Sequence, residues 1–163
     1  MQTIGVISDT HGSLDSRILD FFKDTDEVWH AGDFGSIEVS QKLRAFKKVR
    51  GVYGNCDGQD IRLFHPYIQA FTLEGMKFLI THIGGYPGRY HLNALTLIEA
   101  HRPDVFICGH SHILKVINDP KYNMITINPG AAGRQGFQHA MTALKFQVEC
   151  GKLKNMEVAE WDL

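Results

Sequence analysis

The feature that most constrains this chain is a change of hydrophobic period that repeats along residues 3–53. Residues 3–8 form a short β-branched run that stops at the turn-like Asp9-Thr10-His11-Gly12. Leu14, Ile18, Leu19 and Phe22 then recur at helical spacing. Residues 27–31 read as a second strand ending at Gly32-Asp33, 37–46 as a second helix, and 48–53 as a third strand ending at Gly54-Asn55. Strands separated by helices argue for parallel pairing, because a parallel neighbour needs a crossover of about a dozen residues or more and the helices supply it.

Beyond residue 60 the pattern changes. Residues 68–73 and 76–83 are strand-like and separated only by Glu74-Gly75, the signal of a tight hairpin. A helix over 92–100 stops before Pro103, and 104–108 is an apolar strand ending at Gly109-His110. Further strands are expected over 114–118, 124–128, 140–148 and, after Cys150-Gly151, 153–160. A parallel half joined to a hairpin-rich half predicts an α/β fold, a four-layer α/β/β/α sandwich of two mixed β-sheets flanked by helices. At 163 residues the chain suits one domain spanning 1–163, which would bury roughly 70% of its unfolded surface.

Composition excludes more than it selects. Lys and Arg number 17 against 18 Asp and Glu, a formal net charge of -1, which leaves no one-signed footprint for nucleic acid or a membrane surface. Cys56, Cys108 and Cys150 are odd in number and widely spaced, so neither a disulfide framework nor a zinc knuckle is indicated. Cys108, inside Val105-Phe106-Ile107-Cys108, reads as a small core residue. The chain opens without a basic segment leading into a long apolar stretch, and no run approaches the roughly 20 apolar residues of a membrane span. A cytoplasmic protein is therefore expected, with homo-oligomerisation left open.

Function is carried by the residues at the strand ends. Asp9 and His11, Asp33, Asn55, His82, and His110 with His112 all follow or finish an expected strand. Ligands of open α/β sheets bind beyond the carboxyl ends of the strands, so five segments would deliver side chains to one rim. Glycines 12, 32, 54 and 109 beside them allow sharp turns or close backbone approach. Taken singly, Asp-x-His reads as a turn in which Asp9 caps Gly12 or the following helix, and Gly-Asp or Gly-Asn as an ordinary turn. Gly109-His110-Ser111-His112 is harder to assign to structure alone. Imidazole and carboxylate together suit divalent first-row metals, and no thiolate set is available for a structural zinc. Two such ions, two carboxylates and a hydroxide leave about one net positive charge to meet a phosphate.

These blocks, Asp9-Thr10-His11, Gly32-Asp33, Gly54-Asn55-Cys56-Asp57, Thr81-His82 and Gly109-His110-Ser111-His112, resemble the calcineurin-like metallophosphoesterase superfamily. Its pattern is D-x-H, GD, GNH[DE], H and GHxH in that order. Over essentially the whole chain the sequence looks like the small prokaryotic phosphodiesterases of that superfamily. The resemblance implies a phosphodiesterase or phosphomonoesterase that hydrolyses a small phosphate ester by attack of a dimetal-bound hydroxide. Asp9, His11 and His112 would hold one ion, Asn55, His82 and His110 the other, and Asp33 both. The metal is expected to be Mn, with Zn, Fe, Ni and Mg compatible with the same ligands. Asp57 would support the Asn55 loop, or else be a solvated turn carboxylate.

The chain departs from the pattern at Cys56, where the superfamily has a histidine that approaches the phosphate and protonates the leaving group. A thiol cannot present a cationic imidazolium, so the proton-donating step is expected to be weak. A nucleophilic Cys56 is a lesser alternative. The same departure admits a non-catalytic interaction scaffold, as in the retromer subunit that resembles this group. Residues 84–90 after His82 could shape access, with Arg89, or Arg134 in the 130–136 loop, available to meet phosphate. His30, within a strand, reads as a packing residue. His65, His91, His101 and His139 have no commending spacing.

Overall fold

The computed structural model describes residues 1–163. One sheet contains β1 (Gln2–Ile7), β2 (Glu27–His30), β3 (Lys48–Gly51), β9 (Ala140–Glu149) and β10 (Lys152–Asp162) in the order β10-β9-β1-β2-β3. β1, β2 and β3 are parallel, linked by α1 (Ser16–Phe21) and α2 (Ile37–Phe46). β9 runs antiparallel to β1 and carries β10 on its outer edge. The second sheet has the order β4-β5-β6-β8-β7, from β4 (Ile68–Leu73), β5 (Met76–Ile83), β6 (Val105–Gly109), β7 (Leu114–Asp119) and β8 (Met124–Pro129). Here β5, β6 and β8 are parallel, with α4 (Leu92–His101) between β5 and β6, and β4 and β7 are the antiparallel edges.

Alternation along the strands explains the layers. Ile4 and Val6 of β1, Trp29 of β2, Phe78 and Ile80 of β5 and Phe146 of β9 meet in one core between the sheets. Ile7 and Val28 point the other way, onto Ile18 and Phe22 of the α1 segment and Val39 and Leu43 of α2. On the far face Leu79, Phe106 and Cys108 pack beneath Ala94 and Ile98 of α4. Trp29 takes the rings of Phe71, Phe78 and Phe146 edge-on at 5.0, 4.8 and 5.9 Å. Its indole N–H donates to Glu27 Oε2 at 2.8 Å, so burying it leaves no polar group unpaired. No helix is long and apolar enough to cross a membrane.

The expected four-layer sandwich is therefore found, with differences at element ends. The readings over 27–31 and 48–53 overrun β2 and β3. Pairing stops where the backbone must turn to present the residues of the rim. α3 (Gln59–Arg62) is not anticipated, since four residues are too few to establish a period. Asp15 caps α1, its carboxylate accepting from Arg17 N at 2.9 Å, and Asp9 plays no part there.

Two hairpin turns tie the sheets together at the end remote from the rim. Glu74-Gly75 (φ 50° and 81°) and Cys150-Gly151 (φ 49° and 75°) both take the left-handed pair that suits a two-residue hairpin. Gly151 N–H donates across to Glu74 O at 2.7 Å.

Candidate metal centre

β1, β2, β3, β5 and β6 bring their carboxyl ends to one rim, and all seven candidate ligands of the sequence lie there. Asp9 and His11 follow β1, Asp33 follows β2, Asn55 follows β3, and His110 and His112 follow β6. His82 lies within β5, where pairing with β6 slips between Ile80 and Ile83; such an irregularity re-aims a side chain. The turns are sharp. Asp9, His11, Asp33, His110 and His112 all have positive φ, between 45° and 71°. Side chains avoid that region, and residues held there cluster at functional sites. Gly54 and Gly109 serve a different need, close approach. A Cβ at Gly54 would land on the Asp33 carboxylate, and one at Gly109 on Ser8 Oγ.

The ligand atoms converge. Those of Asp9, His11 and His112 lie within 4.8 Å of one another, as do those of Asp33, His82 and His110. His112 Nε2 is 3.2 Å from Asp9 Oδ1, and His82 Nε2 is 3.1 Å from Asp33 Oδ2. His11 Nε2 stands between the groups, 3.7 Å from both Asp9 Oδ1 and Asp33 Oδ2. His110 Nδ1 lies 3.1 Å from Asn55 Oδ1.

Three of these atoms, Asp9 Oδ1, His11 Nε2 and His82 Nε2, are buried without a hydrogen-bond partner, and the one other such atom is Thr81 Oγ1. Buried polar atoms are almost always paired. Three orphans aimed at one point, two with nitrogen lone pairs and one with carboxylate charge, fit divalent cations. Without ions the groups compensate one another. Burial pushes the Asp9 carboxyl up, but His11 and His112 outweigh it and hold it well below the usual range. Burial also acts against Asp33, and His82 brings it down. The His82 imidazole, disfavoured as a cation by burial, is raised by Asp33 and Asp9.

Neighbouring groups fix how each ligand faces. His82 Nδ1 donates to Ala31 O at 2.7 Å, which leaves the Nε2 lone pair for the centre. Asp9 Oδ2 accepts from the Ser8 hydroxyl at 2.6 Å and His110 N at 3.0 Å, leaving Oδ1 free. Asp33 Oδ1 accepts from Cys56 N at 2.9 Å. Asp57 is buried rather than solvated, accepting from Phe34 N (3.2 Å), Gly35 N (3.0 Å) and Gly54 N (2.9 Å). It thereby joins the loop that carries Asp33 to the loop that carries Asn55.

Three contributors escape the sequence reading. Gln138 Oε1 accepts from His112 Nδ1 at 2.9 Å. His30, expected only to pack, also ties two loops: its Nε2 meets Thr10 Oγ1 at 3.0 Å and its Nδ1 accepts from Gly32 N at 3.1 Å. His65 stacks on the opposite face of Phe34 from the His30 side of the cluster, at 4.4 Å, with His30 at 3.7 Å, and bonds Ser40 Oγ at 2.7 Å. No motif marks Gln138 or His65. The side chain of Arg134 pairs with Asp15 at 3.1 Å, so it is not free to meet phosphate. The Cys56 thiol is exposed at the rim, and what burial it has, with the Asp33 carboxylate, pushes its pKa up. It therefore stays protonated at neutral pH, which disfavours a thiolate nucleophile.

The comparisons agree with this geometry. Residues 2–151 match the model of the calcineurin-like phosphoesterase superfamily domain. A protein of Methanothermobacter thermautotrophicus named a probable metallophosphoesterase is 30% identical over 135 residues, covering 78% of this chain and 76% of its own. Among solved structures, an archaeal phosphodiesterase is 25% identical with a TM-score of 0.75, covering 99% of both chains. A Vps29 from Entamoeba histolytica shares the fold, with a TM-score of 0.77 at 17% identity over 99% of both chains. The chain belongs to the calcineurin-like phosphoesterase superfamily.

Proposed function

We propose that the protein is a dimetal-dependent phosphodiesterase that hydrolyses a small phosphate ester in the cytoplasm. The observation that carries this reading is the two adjoining ligand groups, Asp9-His11-His112 and Asp33-His82-His110, three of whose buried ligand atoms have no hydrogen-bond partner. Asp9, His11 and His112 would hold one divalent ion, Asn55, His82 and His110 the other, and Asp33 both. Ions such as Mn, with Zn, Fe, Ni or Mg as alternatives, would polarise the phosphoryl group and activate the attacking water.

The preference for a diester follows from Cys56. A monoester dianion gains more from a cationic imidazolium than a diester monoanion does, and a protonated thiol offers no such charge. The 25% identity to an archaeal phosphodiesterase supports the same choice. A metal screen of hydrolysis against bis(4-nitrophenyl) phosphate and 4-nitrophenyl phosphate tests the reading. Faster turnover of the diester, lost on Asp33→Asn, is expected; a faster monoester would make the protein a phosphomonoesterase. A second reading, a non-catalytic interaction scaffold, draws on Cys56 and on the fold shared with Vps29. It predicts metal binding with no turnover of either ester.

A further inference from the structure

A cleft of about 350 Å³ opens directly beside the metal-binding rim. Its lining takes in His110 and Ser111 from the centre's own loop and Tyr86 and Arg89 from the loop after β5. None of its 13 lining residues is acidic, while Arg89 and Lys115 are both basic. In a chain with near-balanced charge, a cleft of one sign is a local choice.

Neither cation is neutralised by the protein. Arg89 is exposed, and its side chain has no carboxylate or hydrogen-bond partner. Lys115 is half-buried, its Nζ 4.0 Å above the centre of the Tyr86 ring, and it too has no carboxylate partner. The ring positions the ammonium without cancelling its charge. Ser111 adds a directed donor. Its Oγ accepts from Ile113 N at 3.2 Å and Asn128 Nδ2 at 3.1 Å, so its own hydroxyl proton is uncommitted. The lining residue Tyr90 is held in place by its hydroxyl, which is bonded to Asp119 and Thr126 at 2.7 Å each. The loop after β5 is preset by a turn in which Arg89 N donates to Tyr86 O at 2.8 Å.

Two uncompensated cations and a free hydroxyl donor in one cleft are complementary to an anion, and the cleft adjoins the place where the scissile phosphate would sit. We infer that this cleft binds a second anionic group on the organic part of the substrate, so that the preferred esters carry a further phosphate or carboxylate. This inference rests on the phosphoesterase reading for its biological use, but the binding itself can be measured apart from turnover.

The test is calorimetric titration of the full-length, manganese-loaded protein with thymidine 3′,5′-bisphosphate and with thymidine 5′-monophosphate. The bisphosphate is expected to bind about tenfold more tightly, the worth of one well-placed charge-assisted contact. In Arg89→Gln and Lys115→Gln that difference should shrink to about twofold or less, with folding checked by circular dichroism. Lys152→Gln, the same charge change on the exposed start of β10, should preserve it. Equal affinities in the wild type, or a preference that survives both cleft variants, would overturn the inference. Turnover of nitrophenyl esters in the same samples separates the two claims: turnover without the affinity difference sinks the cleft alone, and the difference without turnover sinks the enzyme reading alone.

Discussion

His112 and Gln138 are joined by a 2.9 Å hydrogen bond whose direction is forced. The Gln138 amide nitrogen already donates to Gly133 O at 3.2 Å and Gln135 O at 2.7 Å, so its oxygen must face the imidazole. An oxygen can only accept, so His112 Nδ1 carries the proton and Nε2 keeps its lone pair, 3.2 Å from Asp9 Oδ1. Gln138→Ala should therefore weaken metal binding by about 10-fold or more, the usual cost of freeing a ligating histidine. Chelator competition would measure it, and an unchanged affinity would count against the assignment.

Asp57 should matter for stability before it matters for activity. Asp57→Ala strands the N–H groups of Phe34, Gly35 and Gly54, two of them in fully buried surroundings. A loss of about 3–5 kcal/mol in urea unfolding is expected. Asp57→Asn should recover only part of it, because an amide must turn its NH₂ toward at least one of those donors.

The buried histidines predict acid sensitivity. Burial pushes His30 down to about 3 and His65 down to about 4, from an ordinary 6.5. Below 6.5 the unfolded chain takes up protons that the folded chain refuses, so stability is present above 6.5 and falls as the pH drops toward 3 to 4. Each histidine should cost about 2 kcal/mol at a pH of about 5. Urea unfolding across this range should show the decline, and His65→Gln should flatten part of it; a pH-independent wild type would refute the account.

Metal should act as a stabiliser that depends on Asp33. At about 100 times its dissociation constant a bound ion adds about 2.7 kcal/mol, or about 5–10 °C in Tm for a chain this long. Asp33→Asn should lose most of that gain. Without metal it should itself melt below wild type, because the His82 imidazole loses the carboxylate that compensates it 3.1 Å away, so the metal-induced gain rather than the absolute Tm is the quantity to compare. Thermal melts with and without Mn and a chelator give both comparisons.

Cys56→His restores a proton donor at the rim. Across a series of diesters of rising leaving-group pKa, the variant should gain about tenfold on the poorest leaving groups and little on nitrophenyl esters. Parallel rates for the two proteins along the series would remove Cys56 from the leaving-group step.

Much of the fold was legible because it is written in local signals. The helix at Ile37–Phe46 and the strands Ile68–Leu73 and Met76–Ile83 lie where hydrophobic period and turn residues put them. The positions of Asp9, His11, Asp33, Asn55, His82, His110 and His112 were legible too, because each sits where a strand-like run meets a turn. α3 was not, being shorter than any period that could announce it.

The amino-acid order alone determined the alternation of elements, the two mixed sheets and the residue types delivered to one rim, since period and turn chemistry act between near neighbours. The tertiary structure decided the partners. Asp57 finds Phe34 and Gly35 across 23 and 22 positions, and Gln138 finds His112 across 26. It also left Arg89 unpaired in the cleft while giving Arg134 to Asp15. Such pairings depend on which loops the topology brings together, and no local pattern in the chain encodes that distance.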